Sequence, residues 1–188
     1  MSPDKEEVLE LQSEMTAYET AYLGAIICEY LMLHFTSFCI ETKVSGASEL
    51  RVALDEIWST LDSAKELKTL PIDAEKIFSL APDTEDHASR FTSRALDTCV
   101  VMGALIEFMQ GKSDGFFDLM VNTMRDCGSE RDVYTHVVGN IVGKVPYDRV
   151  CEKTFVLLLV ALAMLSSASG QYRKASLMKL RAIIQAGW

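Results

Sequence analysis

The chain has 188 residues, a net charge of −9, 49% hydrophobic and 24% charged residues, and only 4 prolines and 10 glycines. That length suits one domain with its own core, and the apolar fraction excludes a disordered, collagen-like or coiled-coil chain. The acidic balance argues against nucleic acid as a partner.

In chain order, Ser2, Pro3 and Asp4 open a first helix. Asp4, Glu6, Glu7 and Glu10 give this end the wrong charge for a targeting peptide, so a cytoplasmic location is expected. Val8, Leu11, Met15, Tyr18, Tyr22, Ile26 and Leu33 recur mostly at three- and four-residue steps. Ser13 or Thr16 can cap a second segment within this run. Residues 21–40 are largely apolar, but Glu29 and His34 interrupt them, which argues against a membrane span.

Residues 45–48 (Ser-Gly-Ala-Ser) end that block and cap a helix over 49–61. Leu50, Leu54, Ile57, Trp58 and Leu61 form its apolar stripe. Asp73 caps a short helix to residue 80. Residues 82–86 (Pro-Asp-Thr-Glu-Asp) predict a helix start, with acids in the first turn, for a helix running to about Gln110. Gly111 then stands at its C′ position. Ser113 or Asp114 opens another helix, ending at Gly128.

A weaker segment over 129–142 follows. Pro146 opens a helix over 147–167, whose apolar stretch 155–165 is too short to span a bilayer and predicts burial on all sides. Gly170 separates it from a last helix over 171–186. The expected fold is therefore all-α: one domain over 1–188, an orthogonal, bundle-like array of about seven helices.

Charge is unevenly placed: all 27 acids lie at or before Glu152, whereas Lys153, Arg173, Lys174, Lys179 and Arg181 follow unopposed. This predicts either a basic last helix packed on an acidic body or a docking helix for an anionic partner.

Catalytic signatures fail on inspection. Cys28, Cys39, Cys99, Cys127 and Cys151 are odd in number and include no Cys-x-x-Cys pair, so free thiols in a reducing compartment are expected. Residues 139–145 (Gly-Asn-Ile-Val-Gly-Lys-Val) have the wrong glycine spacing for a phosphate loop, and Val145 replaces the magnesium-binding hydroxyl. His34, His87 and His136 are scattered and no Glu-x-x-His occurs, so no di-metal carboxylate site is predicted. Gly-x-Ser-x-Gly is absent as well. Neither catalytic residues nor a cofactor nor a metal is expected.

What remains is a set of polar residues in apolar surroundings: Glu29, Asp55, Trp58 and Asp97. Arg51 precedes Asp55 by one helical turn, and Arg94 precedes Asp97 likewise, so each pair shares a helix face. They are either solvated pairs or parts of a polar cluster at helix crossings, where a carboxylate is kept from water.

Three stretches resemble the YjaG-like bacterial domain-of-unknown-function family. Cys28-Glu29 followed by residues 34–39 (His-Phe-Thr-Ser-Phe-Cys) corresponds to the family's Glu-Arg, Pro-Asn-Tyr and Phe pattern. Leu50-Arg51, Leu54-Asp55 and Ile57-Trp58 match its Leu-Arg, Leu-Asp and Trp pattern. Pro82-Asp83 leading to residues 95–100 is similar to its Ala-Leu-Asp-Ala-Cys run, and Leu180-Arg181 with Gly187 echoes its end. Tyr30, Leu33 and His34 stand where the family has arginine, proline and asparagine, so Glu29 alone carries across from that constellation. The resemblance implies an all-helical fold and self-association, and no activity.

The expected function is accordingly that of a helical protein acting by association, as a homodimer. The apolar fraction and nine methionines suited to adaptable surfaces motivate it. The alternative is a small-ligand or enzymatic pocket lined by Glu29, Asp55, Trp58 and Asp97.

Overall fold

The computed structural model describes residues 15–63, 65–129, 178 and 181–182. Among these residues there are five α-helices, one 3-10 turn and no strand: α1 (Ala17–Thr42), α2 (Ala47–Asp62), the turn Leu67–Thr69, α3 (Ala74–Phe78), α4 (Thr92–Met109) and α5 (Phe116–Ser129). The all-α class therefore holds, with five helices in place of the expected seven or so. The helices expected over 129–142, 147–167 and 171–186 and the start of the first helix at Ser2, Pro3 and Asp4 fall largely or wholly outside the described residues. So do the phosphate-loop look-alike, His136 and Cys151.

Thr16, one of two residues able to cap a second segment, is the N-cap of α1. Its hydroxyl accepts from the Glu19 backbone at 3.2 Å, while Glu19 accepts from the Thr16 backbone at 2.8 Å. This reciprocal box satisfies two donors that a helix start otherwise leaves free. By length and composition α1 could cross a membrane, yet 67% of its apolar window is buried inside the fold. It is the core helix, packed on α4 and on α2.

The α2 stripe is as its spacing predicts, with Leu50, Leu54, Ile57, Trp58 and Leu61 all buried. Lys43, in a left-handed conformation, ends α1 and lets α2 fold back against it. The two helices run in opposite directions: the Tyr18 hydroxyl donates to the Leu61 carbonyl at one end, and Glu29 meets Arg51 nearer the other. α4 also opposes α1, since Leu105 faces Gly24 and Thr98 faces Leu31.

The start of α4 departs from expectation. Asp83 does accept from a nearby backbone N–H, but that of Glu85, at 2.9 Å. This closes a two-residue Asx turn and starts no helix, so residues 84–86 form an exposed turn. The helix begins only at Thr92, whose hydroxyl reaches the carbonyls of Ser89 and His87. Its end is as predicted, with Gly111 at φ 71° just past Gln110.

Gln110 also fastens the connection before α3. Its amide nitrogen donates to the carbonyls of Leu70 (3.0 Å) and Ile72 (2.7 Å). Asp73 caps α3 through the Glu75 backbone N–H at 3.1 Å. α3 then packs on α4. Met32, Met102, Met109 and Met120 are core residues, so these methionines fill the interior and supply no adaptable surface.

Candidate functional site

Three of the four singled-out residues converge where α1 meets α2. Arg51 donates from Nη1 to Glu29 Oε2 at 2.7 Å and from Nη2 to Glu29 Oε1 at 3.0 Å. Its Nε donates to Asp55 Oδ1 at 2.9 Å. The Trp58 indole N–H donates to Glu29 Oε1 at 2.7 Å. Glu29 is the buried member, its side chain 10% exposed, whereas Asp55 is 65% exposed. The Arg51 guanidinium, held first by Glu29 and then by Asp55, is pushed above its already high ordinary pKa. Both oxygens of Glu29 are thus engaged, and the cluster is a charge-assisted clasp between two helices.

Trp58 joins this clasp to a second one. Its ring meets Tyr22 edge-on at 5.0 Å, and the Arg181 guanidinium lies 3.9 Å over its centre. Arg181 Nη1 donates to Asp62 Oδ2 at 2.7 Å and to Oδ1 at 3.0 Å. The sequence marks Tyr22 only as an apolar helical position and Arg181 only as part of a basic C-terminal run and a family echo, and it does not single out Asp62. The contact is nevertheless of the kind that the run allowed, a basic C-terminal residue against the acidic body.

Asp97 lies elsewhere, on α4, where it accepts from Arg94 Nη1 at 2.7 Å. Here the guanidinium is the buried partner, with 5% of its side chain exposed against 31% for Asp97. His34 is also buried and meets Tyr30 edge-on at 5.4 Å. Burial, helped by the positive charge of Arg94, lowers its pKa to about 4, so it is neutral at pH 7.

The thiols are poorly placed for nucleophilic chemistry. Burial pushes Cys28 well above the usual range and Cys99 up to about 12, and it raises Cys39 too. Among the described residues no group of three or more His, Cys, Asp or Glu could hold a metal ion.

These features define an all-helical protein in which the Glu29–Arg51–Trp58 cluster ties α1 to α2. The chain belongs to the family described as "Protein of unknown function (DUF416)", which it matches over residues 6–117. It is similar in fold to the crystal structure of a DUF416 family protein from Shewanella baltica OS155, with a TM-score of 0.64 and 14% identity over 95% of this chain and 93% of that one. No curated protein matches the chain.

Proposed function

We propose that this is a cytoplasmic, bacterial, YjaG-like member of its family that works as a homodimer, through association and without catalysis, with no nucleic acid partner and no membrane span. The observation that carries this reading is the large exposed aliphatic side chains on α1 and α2. Leu33 (56% exposed) and Ile40 (76%) stand seven residues apart on one face of α1, and Val52 (69%) is exposed on α2. A second copy covering these side chains would remove them from water. The engagement of Glu29 by Arg51 and Trp58 supports the non-catalytic part, since this carboxylate is committed to structure. Sedimentation equilibrium tests the proposal. The full chain sediments as a dimer at high micromolar concentration, and L33E/I40E as a folded monomer; a strictly monomeric parent overturns it.

The second reading, a small-ligand or enzymatic pocket, would have to use Asp97 apart from Glu29, Asp55 and Trp58, which lie together at the α1–α2 seam, and it draws on one observation. The buried Arg94 pairs with the partly open Asp97 and lies near enough to neutral His34 to lower its pKa, and buried charge near a titratable group is common at binding sites. Stabilisation in a thermal-shift screen of metabolites, lost in D97N, would favour it. An anionic partner at the C-terminal bases would have to use Lys153, Arg173, Lys174 and Lys179, because Arg181 is engaged by Asp62.

A further inference from the structure

Tyr22, Trp58 and Asp62 come together at one end of the α1–α2 seam, and the guanidinium of Arg181 lies among them. Trp58 and Tyr22 are core residues, 3% and 1% exposed with Arg181 in place. The guanidinium is stacked 3.9 Å over the indole. Asp62 takes both of its hydrogen bonds from one nitrogen, Nη1. That contact does not use the fork geometry in which two guanidinium nitrogens meet two carboxylate oxygens. Arg181 Nε is buried without a hydrogen-bond partner, and the Tyr22 hydroxyl lies within reach of the Arg181 guanidinium without good hydrogen-bond geometry to it.

An aromatic face, a carboxylate at its rim and a spare phenol are the complement of a planar cation with several N–H donors. Arg181 fills this space but satisfies it incompletely, because its guanidinium is tethered to the chain and cannot turn freely. We propose that Tyr22, Trp58 and Asp62 form a guanidinium-binding site which Arg181 occupies in cis and from which an external guanidinium can displace it. An unattached guanidinium is free to turn, so it can meet Asp62 with two nitrogens and offer a further N–H to the Tyr22 oxygen. Displacement would release the C-terminal segment from α2 at that point.

The test uses the full chain with Trp188→Phe, so that emission reports Trp58 alone. Methylguanidinium chloride is titrated into this protein and into its R181A variant at constant ionic strength. R181A should show a saturable change in Trp58 emission at a concentration about tenfold lower than the parent, because the competing side chain is gone. D62N added to R181A should abolish saturation, and methylammonium, with the same charge but no plane, should not reproduce it. If R181A does not fold, R181K serves in its place, since an ammonium cannot stack in the same way and should yield more readily than arginine. No saturable response in either variant overturns the proposal, as does an equal response to methylammonium. A capped Gly-Arg-Gly peptide identifies the source of the ligand: tighter binding than methylguanidinium indicates an arginine of another protein, and equal binding a small guanidine.

Discussion

Arg51 grips Glu29 with two nitrogens, at 2.7 and 3.0 Å, and thereby joins α2 to α1 across 22 positions of sequence. The two partners are unequally buried, and this decides which substitution hurts more. R51M takes from the mostly buried Glu29 charge its two-nitrogen ion-pair partner, whereas E29Q leaves Arg51 its exposed partner Asp55. R51M should therefore cost about 2–3 kcal/mol, below the range for a fully buried pair because water can reach part of the site. E29Q should cost about 1 kcal/mol. The double variant should be more stable than R51M alone, since no charge is then stranded. Urea unfolding of the three proteins checks the order, and strictly additive losses would refute the stranded-charge account.

That clasp also marks where the sequence stops being legible. The Arg51–Asp55 and Arg94–Asp97 pairs are readable because helix geometry alone brings residues four or three apart together. The Glu29–Trp58 and Asp62–Arg181 contacts span 29 and 119 positions and depend on how helices pack, which no local spacing encodes. The α2 stripe was legible for the same local reason, as was the glycine ending α4. The start of α4 was not, because proline, aspartate and threonine serve a turn and a helix cap equally well. Methionine count is equally ambiguous, since a flexible thioether suits an interior gap, as at Met102, as well as an exposed surface, as at Met178.

His34 should make stability depend on pH in a defined direction. Its folded-state pKa, about 4, lies below the ordinary 6.5, so between these values the unfolded chain binds the proton more readily. Stability from this residue is intact above pH 6.5 and falls as pH drops towards 4, by on the order of 3 kcal/mol in all. Denaturant titrations of the parent and of H34N at several pH values isolate the effect from that of the carboxylates. The parent should lose stability more steeply than H34N in this window, and parallel curves would show that His34 is not the group responsible.

Gly103 lets α3 approach α4 closely. A Cβ there would stand 2.4 Å from a ring carbon of Phe78, well inside contact distance. Alanine is the better helix former, so at an open site G103A would stabilise α4 by somewhat under 1 kcal/mol. Here overpacking should reverse the sign, with a net loss of about 1–2 kcal/mol. In an F78L background the penalty should shrink, because a smaller side chain leaves room for the methyl group. Thermal melts of the four proteins in that cycle measure the coupling, and a G103A penalty that persists unchanged with F78L would place its cause elsewhere.

Gln110 holds the connection between α2 and α3 by a single amide. Its nitrogen serves the Leu70 and Ile72 carbonyls at once, and Leu70 itself is buried. Q110A removes both hydrogen bonds, and Q110E replaces the donor with a carboxylate facing two carbonyl oxygens. Loss of the donor should cost about 1–2 kcal/mol in Q110A, and more in Q110E, where repulsion adds to the missing bonds. The exposed Lys65 and Lys68 lie just before this segment, so its loosening is directly readable by trypsin. Cleavage at these lysines should accelerate in the order parent, Q110A, Q110E under native conditions, where local opening governs the rate. Equal rates in all three proteins would mean that the segment is held by the packing of Leu70 and α3 and not by the amide.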